Sequence, residues 1–265
     1  MKKEHSLDYP RIVSLPPKTV LIIVLVLIII AWSMVLLFDI SNAFRDTFSE
    51  PVWRYLFNDR PIEWMQWFVL VFAIITSAYL SARLAVANKK VYSKFFLIFS
   101  IGLGLMLIED AGDIRHVISG EVQNFADNDH IMGIHYRVVS DFPYFALLAA
   151  IPLYAIIRYG KETWENTKAK TPFILGIILY AIAAIGSGLR HFNNLYINIG
   201  SWIDENILNE NFKGIASLSQ DRNHFLLVDS ILEETIELLA ITLIFVAILI
   251  FVKEFKKDEA DRSRS

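Results

Sequence analysis

Apolar residues fall into six long runs, each bounded by charged or turn-forming positions, with little sign of the one-sided period of a surface helix. A membrane-crossing helix needs about 20 mostly apolar residues, because each adds about 1.5 Å against a hydrocarbon core of about 30 Å. Positions 20–38, 64–84, 95–114, 142–157, 172–190 and 233–252 are the candidates. The pattern predicts an all-α polytopic membrane protein, six transmembrane helices in one bundle, with a single integral membrane domain over 1–265. Thr171 before Pro172 reads as an N-cap with proline opening the fifth helix, and Pro152 is expected to kink the fourth.

The first run sits where a signal peptide would, and Ser41-Asn42-Ala43 is a passable cleavage site. Its length exceeds the roughly 7–15 residues of a signal core, so it is read as an uncleaved anchor. Basic residues set the orientation. Lys2, Lys3, Arg11 and Lys18, then Arg83, Lys89, Lys90 and Lys94, then Arg158, Lys161, Lys168 and Lys170, and finally Lys253, Lys256, Lys257, Arg262 and Arg264 all fall on one side. Both termini are therefore expected to be cytoplasmic, in a bacterial plasma (inner) membrane. On the other side, Trp53, Tyr55, Phe57, Trp202, Ile203 and Ile207 form amphipathic patches expected to lie flat at headgroup depth.

Composition narrows the chemistry. The chain is 55% hydrophobic and 20% charged, and 25 basic against 28 acidic residues leave a net charge of −3, which offers no basic stripe for a nucleic acid. The absence of cysteine excludes disulfides, a thiolate nucleophile and Cys-ligated metal, so a metal would be held by His, Asp, Glu or backbone oxygens.

Two spans fall short. Positions 95–108 give only 14 clean apolar residues before Glu109, Asp110, Asp113, Arg115 and His116. Positions 238–252 follow directly on Glu233, Glu234 and Glu237. The third span runs outward and the sixth inward, so Ile-Glu-Asp-x-x-Asp and Leu-Glu-Glu-x-x-Glu reach the same depth and can face each other. On continuous helices Glu109, Asp113 and His116 share one stripe and Glu233 and Glu237 another. Arg190 and His191 end the fifth span at that level, and Glu63 and Gln66 begin the second there. Carboxylates facing lipid are costly, so they are expected to face the bundle. Six carboxylates against Arg115 and Arg190 leave four negative charges to be neutralised by protons or a bound cation.

The leading expectation is a divalent-metal site (Zn, Mn or Fe) with Glu109, Asp113, His116, His191 and Glu237 as ligands. Glu233 or Glu234 would be the general base and Arg190 would hold a phosphate or oxyanion, in a lipid-directed hydrolase or a di-iron-type enzyme. Membrane lipid is then both surroundings and possible substrate. The alternatives are a proton- or cation-coupled transporter or channel, and a non-catalytic sensor or assembly factor whose acids form a structural ion-pair network. Positions 95–108 offer only Ser100 and 238–252 only Thr242 as polar groups toward the inner face, which argues against transport. Nothing in the pattern sets an oligomeric state.

Gly186-Ser187-Gly188 invites comparison with the intramembrane serine protease box, but Ile185 breaks it and the sixth span has no histidine, so a close helix contact is expected instead. His130 and His135, five apart, are expected to be solvated loop residues. The Glu-Asp…His stretch on one span with Leu-Glu-Glu-x-x-Glu on another resembles a pattern in uncharacterised bacterial multi-pass membrane proteins, which lends no activity. The layout is also similar to alkaline-ceramidase-like membrane hydrolases. Their His-x-x-x-His pair is absent here, so that likeness suggests a reaction class and places no residue.

Overall fold

The computed structural model describes residues 11–41, 44–45, 47–57, 60–165 and 167–262 and is 80% helical. Lys2, Lys3, Asn42, Ala43 and Arg264, used above for orientation and cleavage, lie outside the described residues. Six helical stretches among those described are long and apolar enough to cross a membrane. They are built on α1 (Pro17–Val35), α3 (Pro61–Val86), α4 (Lys90–Gly112), α6 (Tyr136–Trp164), α7 (Lys170–Leu189) and α10 (Glu234–Arg262). Short helices fill the connections at one end: α2 (Trp53–Leu56), α5 (Ile114–Gln123), α8 (Leu195–Asn206) and α9 (Gln220–Leu226).

α10 is the axis of the assembly. It packs against α1, α3 and α7, and Ile241, Ala247 and Ile248 in its middle have no exposure at all. α3 turns a continuous face inward, with Gln66, Leu70, Ala73, Ser77 and Leu80 wholly buried at helical spacing. α1 lies outermost, and Ile22, Ile23, Ile29 and Ile30 remain exposed along it. Away from the acidic end, aromatic rings lock the helices together: Trp164 stacks on Phe173 at 4.2 Å, and Phe95, Phe96 and Phe251 pack edgewise around them. Two small residues permit close approaches between the long helices. A side chain on Gly176 would meet the Ala240 carbonyl at 2.8 Å, and one on Gly102 would meet Pro152 at 2.7 Å.

Several boundaries differ from expectation. The third span does not run on to position 114: Asp113 adopts a left-handed conformation (φ 50, ψ 35), ending α4 at Gly112 and starting α5 in a new direction. The stripe Glu109–Asp113–His116 therefore does not exist, because it assumed one unbroken helix. The fifth helix starts at Lys170, capped by Ala169 rather than Thr171; Pro172 sits in its first turn, where its missing N–H needs no acceptor. The sixth begins earlier than 233, since α9 passes through a π-helical turn, Leu227–Glu233, straight into α10. Trp53 and Phe57 are buried at 2% and 1% rather than lying on a surface. Asp39 fixes them by accepting the Val52 and Trp53 backbone N–H groups at 2.7 and 2.8 Å, and Trp53 stacks on Phe212. His130 and His135 face each other across a two-residue hairpin, β1 (His130–Ile131) and β2 (Ile134–His135).

Candidate functional site

The acids of the third and sixth spans do converge, on a residue of the second. Gln66 Nε2 donates to Asp110 Oδ2 at 3.1 Å and to Glu237 Oε2 at 2.8 Å, joining α3, α4 and α10 at one height. Trp67 Nε1 gives Asp110 Oδ2 a second bond at 2.8 Å, and the Tyr144 hydroxyl of α6 donates to Glu109 Oε2 at 2.5 Å. Glu234, one turn earlier on α10, lies within electrostatic range of Glu63, Asp110, Glu233 and Glu237. Among the described residues, two buried acceptors here have no hydrogen-bond partner: Gln66 Oε1 and Glu234 Oε2.

These carboxylates close one end of a cavity of about 320 Å³ between α4, α6, α7 and α10. Glu109, Asp110, Glu237 and Tyr180 supply its polar end, and the remaining wall is apolar, including Phe99, Leu103, Phe145, Pro152 and Ile177. Phe142 and Leu153 on α6 and Ile185 on α7 line the cavity and are also exposed, at 47%, 44% and 55%. The cavity is thus a cleft with a lateral mouth between α6 and α7, on the flank of the bundle that faces hydrocarbon if the six helices cross a membrane.

A second polar group surrounds Arg190. Arg190 is 4% exposed, and its guanidinium donates to Asp229 at 2.8 Å and Asp141 at 3.4 Å and comes within 3.5 Å of His116 Nε2. Burial disfavours the charge, but Asp229, Glu233 and Asp141 more than offset it, so Arg190 is held ionised above its ordinary range. Asp141 also accepts from Ser119 and Ser140 at 2.6 and 2.8 Å, and Glu233 accepts from Tyr196 at 2.8 Å. Burial, followed by the adjacent Glu233, drives the Tyr196 phenol well up, so it remains a donor.

The third group is a stack of rings. His191 lies between His135 (4.6 Å) and Phe225 (5.2 Å), with Arg137 Nη1 at 3.5 Å from its Nε2. Burial, reinforced by Arg190 and Arg137, lowers His191 to about 3, so its imidazole is neutral. A neutral imidazole is a possible ligand, but one surrounded by Arg190, Arg137 and Arg222 is a poor place for a cation.

The expected ligands, and the residues expected to act as base and anion holder, are accordingly distributed over separate places. Glu109, Glu234 and Glu237 belong to the cleft end; Glu233, Arg190 and His116 to the arginine group; His191 to the ring stack. Asp113 pairs with His116 at the surface, its side chain 70% exposed. Among the described residues, no three His, Asp or Glu side chains form a group able to hold a metal ion. Arg190 is bonded to two carboxylates and so is not poised for a substrate oxyanion.

Sequence reasoning missed Asp141 and Asp229, each just outside a span as drawn, and the tyrosines 144, 180 and 196 that meet the acids. Ser140-Asp141 before an apolar run was the available signal for the first. The close helix contact expected of Gly186-Ser187-Gly188 is present: a side chain on Gly188 would meet Phe142 at 3.4 Å, and buried Ser187 accepts from Arg115 at 2.8 Å. No protein-family model, curated protein or solved structure matches the chain.

Proposed function

We propose that this is a multi-pass membrane protein that binds a lipid-like amphiphile, its tail in the α6–α7 cleft and its head against Glu109, Asp110 and Glu237. The observation that carries the reading is the cleft itself, apolar along its walls, open sideways, and ended by three carboxylates. Its volume of about 320 Å³ falls within the range of small-molecule sites. A tail moving from bilayer to cleft exchanges one apolar setting for another, so the tail gains little and the head decides what is held.

The geometry supports binding more than turnover. A metal-dependent hydrolase requires about three protein ligands on one ion, and those expected here are divided among three groups. The Arg190 cluster fits the ion-pair network reading, since its charges answer one another. Transport would need polar groups continuing from Gln66, yet Thr76 is the next buried one on α3, about 15 Å along the helix, with Leu70 and Ala73 fully buried between.

The test is lipid retention. Native mass spectrometry of the chain purified in mild detergent should show bound lipid, and Ala149→Trp or Ala184→Trp, which fill the cleft, should lower occupancy about fivefold or more while helicity is unchanged. Wild-type protein carrying no lipid would contradict the proposal, and a stoichiometric transition metal in the same preparation would favour a metalloenzyme instead.

A further inference from the structure

The connection between α4 and α6 carries an amphipathic surface that the cleft does not use. At 3.6 residues per turn, α5 has three sides. Arg115, Ser119 and Val122 share the first, which faces the bundle: Arg115 Nη1 donates to Ser187 of α7 at 2.8 Å, and Ser119, itself buried, donates to Asp141 of α6 at 2.6 Å. Ile114, Val117, Ile118 and, just past the helix end, Phe125 share the second. All four are exposed, Val117 by 67% and Phe125 by 83%. His116, Gly120 and Gln123 share the third, and it is exposed and polar, with Gln123 Nε2 donating to Asp129 at 3.0 Å.

A helix packed on a bundle in water shows the reverse, apolar residues inward and polar ones outward. On α5 the contact side is the polar one, its hydrogen bonds answered by α6 and α7, and the apolar side is left outside. Three sides of different character fit a helix lying where protein, hydrocarbon and water meet. The apolar side also adjoins a flank already assigned to lipid. Ser119 meets α6 at Ser140 and Asp141, and the α6 residues on either side of that contact, Val139 and Phe142, are exposed, Phe142 at the lateral mouth of the cleft. Glu121 falls among the apolar residues of α5 and accepts from Asn124 at 3.5 Å. A carboxylate costs least near the membrane surface, which sets the helix at the boundary of headgroups and acyl chains rather than deeper.

We propose that α5 is an interfacial helix, lying in the plane of the leaflet at the acidic end with Ile114, Val117, Ile118 and Phe125 in the acyl chains and Gly120 and Gln123 in water. The inference rests on the membrane-spanning part of the function just proposed and not on what the cleft holds. Lipid is favoured over a protein as the occupant because this 10-residue helix is tied at both ends to helices of the bundle, α4 and α6, whose own outward residues are apolar. At that depth the Ser119–Asp141 contact, and the Arg190 pair joined to it through Asp141, stand level with the headgroups and not in bulk water.

The chain has no cysteine, so a single substitution carries the only nitroxide label. The full-length protein is reconstituted in vesicles of phosphatidylcholine and phosphatidylglycerol. Collision of the label with oxygen, which concentrates in hydrocarbon, is compared with collision with a water-soluble nickel chelate. Val117→Cys, Ile118→Cys and Phe125→Cys should favour oxygen, at about 5–10 Å below the headgroups, and Gly120→Cys and Gln123→Cys should favour nickel. Ile29→Cys, exposed along α1, is the reference within a spanning helix and should read deeper. Nickel dominating at positions 117, 118 and 125 while position 29 lies in hydrocarbon overturns the assignment of α5 and leaves the spanning helices standing. Labels at 117 and 118 that meet neither reagent mean that a protein covers the face, which overturns it too. Nickel reaching position 29 as well removes the membrane-spanning reading and this inference with it. Every substituted position is exposed, so no label displaces a packed side chain.

Discussion

Glu237 on α10 is tied to Gln66 on α3 by a 2.8 Å hydrogen bond, and through the same amide nitrogen to Asp110 on α4. One neutral side chain therefore holds two acids of different helices at a common height. Replacing it by leucine removes the shared donor and leaves both carboxylates facing each other. Gln66→Leu is expected to cost about 2–4 kcal/mol from two lost charge-assisted bonds, read as a lower unfolding temperature in detergent. The Glu237→Gln change in the Gln66→Leu background should recover part of it, since it removes one of the opposed charges.

Arg190 is expected to be the least replaceable charge in the molecule. It is 4% exposed and pairs with Asp229 and with Asp141, itself 1% exposed. Arg190→Gln leaves those carboxylates uncompensated and should cost about 3–5 kcal/mol, which in a marginally stable fold appears as loss of monodisperse protein on size-exclusion chromatography. Adding Asp141→Asn to Arg190→Gln should restore part of the yield. If Arg190→Gln alone behaves as wild type, the arginine group is not a structural network.

His191 makes stability depend on acid. Unfolded, the imidazole binds a proton near its ordinary 6.5; folded, burial with Arg190, Arg137, His135 and Arg222 around it holds it to about 3. The unfolded state thus takes up protons first, so the stability present above about pH 6.5 is lost progressively as pH falls toward 3. The unfolding temperature should drop by about 2–4 °C or more between pH 7 and pH 5, and His191→Phe should flatten that slope while keeping the stack on Phe225. His135, also lowered by burial, acts in the same sense, so the double variant should be flatter still.

Helix contact at Gly176 provides a check on the scaffold itself. A Cβ there would stand 2.8 Å from the Ala240 carbonyl and 3.0 Å from the Ile244 nitrogen, both backbone atoms that cannot step aside. Gly176→Ala is expected to separate α7 from α10 and cost about 1–3 kcal/mol, whereas Gly104→Ala, with nothing among the described residues within 4 Å, should be near neutral by thermal unfolding.

The six helices long and apolar enough to cross a membrane were legible because runs of apolar residues as long as a bilayer is thick have few other uses. The meeting of Asp110 and Glu237 was legible too, as two acid doublets ending short spans on the same side. The cleft was not. In helices apolar all round, the residues that face a neighbour look like those that face lipid, so the sequence of α6 and α7 carries no mark of where they part. The break at Asp113 hid behind a helical pattern that runs on past it. Gly112-Asp113 was the available clue, since Asp tolerates the left-handed region better than most residues. Asp229 and Glu233 were placed by a π-helical turn, which shifts side chains off the usual 3.6-residue register. Polar residues one step outside a hydrophobic run, Asp141 among them, lay beyond boundaries drawn by hydropathy alone.

Crosslinking with a diazirine-tailed phospholipid in vesicles tests whether a lipid occupies the cleft between α6 and α7. Peptide mapping should find the label concentrated on α6 and α7 residues lining the cleft, Phe145, Ala149 and Ala181 among them, and Ala184→Trp should remove it. Label spread instead over the exposed face of α1, at Ile22, Ile23, Ile29 and Ile30, with no excess in the cleft, would mean that lipid merely surrounds the protein and would contradict the account.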